Sequence, residues 1–599
     1  MSPTADKPES GREESRKLLR GAGIFGALTG ASRALGLLRD MALTAVLSQT
    51  ARDAFLLAFS IPNMFRNLFG EGALTNSLVP VYVERIEKSD REGANRLASL
   101  VFTALALGLG LLALVGGLAC LGASCLPGMG AKSVLALKLL AVMAPFLPLV
   151  CLYAFFMALL TSHRRFAVPG FAPVLLNVAI LAGAFLAWRR YGLGSQDFQS
   201  QAAFIIAAAV LLGGALQLAI ELPSARGAGV RIRPSLGFRD EAFRSVAAAM
   251  APVLIGTGVY QLNTFLNRIF AWTLAPEPAA QSYLALANLL VMAPMGIVAV
   301  AMATAALPTL SSLHARGDKK GFGAALSGAM RMSLFMLIPV SAVLIVSAEP
   351  IVSLLYGRGG WRPEETPHMV RVVFWSALAL PPTVVTMLAA RAFYAMKLPK
   401  VPARIALVTV AVNVGLSLVF VLWGGHSAAL LEGTRLAARL GGAREASLWL
   451  SGAAGLALAS TLSATLQMVL TLSALRRERP DLKLGGVAFT ALRAAAMCVP
   501  TGIFVHWVIM SLPPTGEGFI IVAQRGIAPV LAGVFAYTLV ASLLDTAEYR
   551  EAWRALRGRK RKSADTGKGG KKAGGGEDDD EDDEDEEEEE EAADREKGG

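Results

Sequence analysis

Stretches of about twenty or more mostly apolar residues recur along this chain from Gly21 to Leu544. Each can cross a hydrocarbon layer ~30 Å thick as a helix. A bilayer offers backbone groups no water to bond, so such runs must close their hydrogen bonds within themselves. A membrane β-barrel would show short segments of alternating polarity instead, and none appear. Charged residues make up 17% of the 599, below the ~25% usual for a soluble domain.

The apolar runs predict an all-α integral membrane protein with about fourteen transmembrane helices. They fall at 21–48, 53–84, 96–123, 133–161, 167–188, 201–222, 243–274, 281–312, 323–347, 367–396, 402–423, 446–474, 486–511 and 518–544. The expected organisation is a basic N-terminus (1–20), an N-lobe of six helices (21–222), a loop (223–242), a C-lobe of six helices (243–474), two added helices (486–544) and a tail (545–599). The tail begins basic and ends in an unbroken acidic run from Glu577 to Glu591. Like charges in sequence repel and do not pack, so disorder is expected there. The first apolar run is longer than a signal-peptide core and carries charge, so an uncleaved first helix is expected.

Loop charges predict the orientation. The N-terminus and every second loop carry clusters of Lys and Arg, among them Arg85, Lys88 and Arg91, then Arg164 and Arg165, and later Arg476, Arg477 and Arg479. Positive charge marks the cytoplasmic side, so both termini are expected in the cytoplasm, which requires an even number of helices.

The chain also resembles itself. Residues 35–80 shifted by 228 fall on 263–308 without a gap, so that LLRDMAL meets FLNRIFA, DAFLLAF meets QSYLALA and Pro80 meets Pro308. A second echo links HRRFAVP (163–169) with MKLPKVP (396–402). Parallel repeats of this kind are found in transporters whose substrate site lies between the halves. Chance likeness among apolar helices is the competing explanation.

Most predicted helices carry no charge in the middle; the first two do. The first has Arg33, Arg39 and Asp40, and the second has Asp53, Arg66 and Glu71. A charge at the centre of a membrane helix costs about 2.5–3.5 kcal/mol on insertion scales, so such residues face a partner or a watery cavity. Arg33 and Arg39, six residues apart, cover one broad face over ~9 Å of helix. Arginine keeps its charge in any environment, and its planar fork matches phosphate oxygens in pairs. The spacing predicts a cationic cavity wall for an anionic ligand, with Asp40, Asp53 and Glu71 as cavity or gate charges. Mutual pairing that merely holds the two helices together is the alternative. Arg268 is the main intramembrane cation of the second half, at the repeat position of Asp40, and could complete the cavity. Arg331, Arg391, Arg493 and Arg525 lie near predicted helix ends and read as interfacial.

No enzyme constellation emerges: the chain has no GxSxG, HExxH or Walker loop, which disfavours an ATP-driven pump. Cys120, Cys125, Cys151 and Cys498 lie in or beside apolar runs without ligand spacing, so they read as packing residues and no metal site is expected.

At SRALGLLRD (32–40) and through DAFLLAFSIPNMFRNLFGEGALTNSLVPVY (53–82) the chain resembles the MurJ/MviN family of lipid II flippases, in the multidrug/oligosaccharidyl-lipid/polysaccharide exporter superfamily. The likeness recurs at HRRFAVPGFAPVLLNV, ALPTLSSL, LLYGRGGW and RAFYAMK. The resemblance implies fourteen helices in two six-helix lobes, with helices 13 and 14 added beside a groove for the lipid tail. It implies that lipid II, an undecaprenyl-diphosphate-linked peptidoglycan precursor, moves from the inner to the outer leaflet of the bacterial cytoplasmic membrane by alternating access. It matches Arg33, Arg39, Asp40, Asp53, Arg66 and Glu71 to the family's charged cavity or gate positions. The chain departs from the family at Asn67, where a second basic residue is usual, and at Leu289, where a helix-8 arginine is expected. The helix-7 acidic position of a sodium site falls on Asn267, so sodium dependence is not expected. Arg268 is then a substitute cation for the diphosphate.

No cofactor is expected, although membrane potential could bias the cycle. Expected partners are lipid II and membrane lipids, with no nucleic acid, for a monomeric transporter that could meet cell-wall synthesis proteins. Two other readings remain open: export of another polyprenyl-linked glycan or amphiphile, and a non-transporting membrane scaffold.

Overall fold

The computed structural model describes residues 8–69, 74–193, 198–237, 239–431, 443–482, 484–513, 519–551 and 553–554. Among them it contains helices and no strand. The helices are α1 (Pro8–Val46), α2 (Gln49–Leu68), α3 (Thr75–Glu87), α4 (Arg91–Ser124), α5 (Ala131–Met143), α6 (Phe146–Ser162) and α7 (Ala167–Tyr191). Next come α8 (Gln199–Gly227), α9 (Glu241–Thr273), α10 (Ala280–Ala315), α11 (Lys319–Val346), α12 (Ala348–Tyr356), α13 (Glu365–Leu378) and α14 (Leu380–Ala395). The series ends with α15 (Lys400–Leu431), α16 (Ala443–Leu450), α17 (Gly452–Glu478), α18 (Gly485–Ser511) and α19 (Phe519–Leu543). By length and apolarity ten described helical segments can span a membrane, or eleven when the bent pair α5 and α6 is one span. The helices bearing the candidate charges, α1, α2 and α9, fall outside that set. Among the described residues, apolarity and length alone thus support ten or eleven of the fourteen expected spans.

Prolines and caps explain where the expected spans break. The fourth, 133–161, bends by 45° where α6 begins beside Pro145. A proline removes a backbone donor and clashes with the preceding turn, so it starts a helix more readily than it continues one. The tenth is interrupted at Ala379, just before Pro381 and Pro382 at the start of α14.

The chain divides into two compact units, 1–537 and 538–599. The second begins within the last turns of α19. The acidic run of the tail, and Glu71, lie outside the described residues. Within the first unit one hydrophobic core has its buried members between residues 43 and 246, with Phe55, Phe146, Phe155 and Phe156 fully buried. Two others draw on 271–457 and 298–487.

The internal repeat is carried into the turns. After α3, the amides of Lys88, Ser89 and Asp90 bond back to the carbonyls of Glu84, Ile86 and Arg85. After α10, shifted by 228, Arg316, Gly317 and Asp318 do the same to Ser312, His314 and Leu313. Ser89 (φ 63°) and Gly317 (φ 70°) both occupy the left-handed position that ends a helix in this motif. Asp90 and Asp318 then cap α4 and α11 by accepting from Gly93 and Gly321, each at 2.8 Å. The HRRFAVP and MKLPKVP echo behaves alike: Arg164 (φ 58°) and Lys397 (φ 61°) are left-handed within identical three-bond turns. The same three-bond turn also ends α8 and α19, so it is the matching positions and the paired Asp caps, not the turn type, that support the repeat.

Candidate functional site

The residues of α1 fix one cation and leave another reaching outward. Arg39 donates Nε to Asp40 Oδ1 at 2.8 Å and Nη1 to Asn177 Oδ1 on α7 at 3.0 Å. Its guanidinium carbon lies 5.7 Å from the centroid of Phe59 on α2, within cation–π range. Asn177 in turn donates Nδ2 to the Ser32 carbonyl at 3.0 Å. This amide ties α7 to α1 and orients the arginine in one contact. Asp40 is buried at 7% exposure while the Arg39 side chain keeps 18%. The pair is held on its protein side and open on the other. Arg33 is exposed, and its guanidinium lies against Gly296 of α10, where any Cβ would collide with it. A cation of the first half thus rests on the backbone of the second.

Arg66 lies two turns beyond Phe59 along α2, about 10 Å of helix rise. It donates Nε to Asn63 Oδ1 at 2.8 Å and Nη2 to Asn67 Oδ1 at 2.7 Å. Asn67 thus supplies an acceptor that a second basic residue could not. Neighbouring amides position Arg66.

Asp53 does not join these arginines. It is fully buried where the start of α2 meets the start of α10. Its Oδ1 accepts from the Ser282 amide at 2.6 Å and the Ser282 hydroxyl at 2.8 Å, and Lys132 Nζ lies 2.7 Å from Oδ2. The N-cap of α10 is Ala279, which has no side-chain acceptor. Asp53 supplies that missing cap from the opposite half, where a carboxylate also meets the positive end of the helix dipole. The partner sits one residue past Gln281, the repeat position of Asp53. The two repeat-related helix starts therefore meet end to end.

More contacts close this seam. Gln49 Nε2 donates to the Tyr283 hydroxyl at 3.0 Å, and Lys132 Nζ donates to the Pro278 carbonyl at 2.7 Å. Arg52, with no exposure, pairs with Glu365 of α13, itself 2% exposed, and stacks 4.8 Å from the Trp361 ring centroid. The Gly360 amide donates to the Ala45 carbonyl at 2.8 Å. Gly359 is left-handed (φ 62°), and a Cβ there would strike that same carbonyl, so only glycine allows the close approach. Sequence reasoning missed Arg52, Lys132 and Glu365. The available signals were the Arg52–Asp53 doublet at a helix start and a repeat that matched the two starts.

Arg268 lies apart from this network. It lines a cavity of about 330 Å³ in the second half, with Asn263, Asn267, Asn288 and Gln467 among its neighbours. Beside it Asn413, fully buried, donates Nδ2 to Asn263 Oδ1 at 2.7 Å and to Asn267 Oδ1 at 3.0 Å. Asn267 donates to Ser460 Oγ at 3.0 Å. These are neutral amides and hydroxyls. Among the described residues no three His, Cys, Asp or Glu converge as a metal group would require.

The model of the lipid II flippase MurJ family matches residues 44–438. A probable lipid II flippase MurJ of Bdellovibrio bacteriovorus is 32% identical over 432 residues, covering 70% of this chain and 80% of its own. The corresponding protein of Vibrio cholerae is 29% identical over 506 residues, covering 82% and 89%. Among solved structures, a lipid II flippase MurJ in an inward closed conformation superposes with a TM-score of 0.67 at 21% identity, over 88% of this chain and 99% of that one. An inward-facing multidrug-resistance MATE transporter of the MOP superfamily reaches 0.58 at 14% identity, over 75% of this chain and 95% of that one. With two thirds of its length inside the family model, the chain belongs to the lipid II flippase MurJ family.

Proposed function

We propose that the chain is a lipid II flippase working by alternating access, with Arg33, Arg39 and Arg66 receiving the diphosphate of the headgroup. The observation that carries this reading is the buried polar seam, Asp53 with Ser282 and Lys132 and Arg52 with Glu365. It joins the halves through groups that water could equally well solvate. A joint of that chemistry can open, whereas a purely apolar one would resist hydration. Arg39 keeps an open side, and Arg33 bridges to α10, so a diphosphate between them would touch both halves. Phosphate oxygens accept the paired donors of a guanidinium better than a neutral amide can.

In this reading the basic loops face the cytoplasm of a bacterial inner membrane, with both termini inside, and the seam closes the outer side. Headgroup entry would satisfy the arginines, the seam would part, and the headgroup would leave outward while the polyprenyl tail stays in lipid. Membrane potential is the proposed bias, since moving one charge through 100 mV is worth about 2.3 kcal/mol. Asn267 in a neutral amide cluster supports a cycle without sodium. The proposed working unit is the monomer.

The test is transbilayer movement of fluorescent lipid II in vesicles containing the full chain. Gln49→Cys with Tyr283→Cys, in a background whose four native cysteines are serines, should stop movement when oxidised and restore it when reduced. Movement unchanged by a formed crosslink would overturn the alternating-access reading.

A further inference from the structure

A second cavity, about 550 Å³, opens between α17 and α18, away from the seam and the arginines. Its floor is α11 and α14, through Leu334 and Val385, both nearly fully buried. Its rim includes Val469 at 49% exposure and Leu378 at 38%. No residue of α1–α10 lines it. The volume falls in the range of small-molecule sites, roughly 300–1,000 Å³. The wall is apolar except at Thr465, Ser473 and Arg476.

Two features specify what fits. First, the α17 wall runs from Thr465 to Arg476. Eleven residues of helix rise about 16 Å, close to half of a ~30 Å hydrocarbon core. The groove is therefore as deep as one leaflet. Second, the one lining cation among the described residues, Arg476, stands at one end, in the last turn of α17, exposed and with no hydrogen bond or ion pair to another described residue. One cation at headgroup depth above a leaflet-deep apolar groove matches a lipid with one negative charge at its head.

We propose that this groove binds a glycerophospholipid whose phosphodiester sits on Arg476 and whose acyl chain lies between α17 and α18. A single guanidinium suits one phosphodiester, whereas the diphosphate of a polyprenyl precursor would leave charge unmatched there. The occupant is thus a lipid of the surrounding leaflet, and it braces α18 against α17. This inference does not depend on what the arginines of α1 and α2 carry.

The test is native mass spectrometry of the full chain released from detergent. Phosphatidylglycerol, phosphatidylcholine of the same acyl chains, and inorganic phosphate would be added in separate arms. One Arg beside an anionic lipid should favour phosphatidylglycerol over phosphatidylcholine about fivefold. Arg476→Gln should erase that preference, and Arg476→Lys should keep most of it. Both substitutions are at an exposed side chain, so the fold should persist, checked by unchanged melting. Ala488→Trp, placed in the groove, should lower retention of both phospholipids. Equal phosphatidylglycerol retention by the Arg476→Gln variant would overturn the proposal. So would retention of inorganic phosphate alone, or displacement of the phospholipid by polyprenyl diphosphate at equal concentration.

Discussion

The two halves are built on one repeat yet use opposite chemistry at matching positions. Arg39 and Asp40 of α1 correspond to Asn267 and Arg268 of α9. In the first half the arginine is ion-paired to its neighbour, steadied by Asn177 and left with an open side. In the second half the matching asparagine is absorbed into a network with Asn413, Ser417 and Ser460. An ion-paired arginine in one half thus corresponds to an amide network beside the Arg268 cavity in the other. The difference teaches that the repeat supplies the frame, while substitutions within it decide which half holds an anion.

The largest effect is expected where the halves touch. Arg52→Gln leaves Glu365 buried without its partner, a change that typically costs about 3–5 kcal/mol when an ion pair is broken from one side. The population should move strongly toward a parted seam, read by spin-label distances between α2 and α13. Combining Arg52→Glu with Glu365→Arg should recover part of the closed population. If the single variant left the distances unchanged, the seam would not govern the two states.

Next comes the contrast between the cations. Arg39→Ala removes charged hydrogen bonds worth about 1.5–3 kcal/mol, or roughly ten- to a hundredfold in lipid II affinity. Arg268→Ala should cost less than about tenfold, because amides dominate its surroundings. Equal losses would break the asymmetry. Asn413→Ala should act differently again: it strips a donor from Asn263 and Asn267. The expected loss is about 1–3 kcal/mol of stability, seen in melting, with headgroup affinity changed less than in Arg39→Ala.

The smallest effect concerns Glu277, in the loop between α9 and α10. Burial holds its carboxyl above the usual range, despite a bond from the Ala453 amide and the nearby Arg371 charge. A folded state that keeps its proton longer than the unfolded chain is most favoured below the ordinary carboxyl value of 4.5. That contribution fades as pH rises through the raised value. Melting should therefore show a decline with rising pH that Glu277→Gln flattens.

Much of this was legible in the sequence because bilayer physics leaves few options. Apolar runs had to be helices, intramembrane arginines needed a reason, and the 228-residue shift matched 35–80 to 263–308, a match that the structure extends to the caps Asp90 and Asp318. The seam was not legible. Lys132 reads as an ordinary loop residue and Glu365 as one of a polar run, and their meaning depends on partners far along the chain. Asp53 was read as a cavity or gate charge, but its role as a cap on α10 needed the two helix starts placed together. Nor could spacing say that Arg33 would rest on Gly296.

The most direct measurement is externally accessible lipid II in bacteria depleted of their own flippase and supplied with this chain. The account predicts restoration by the wild-type chain, failure with Arg39→Ala at equal membrane abundance, and substantial rescue with Arg268→Ala. Rescue by Arg39→Ala as complete as wild type would contradict it.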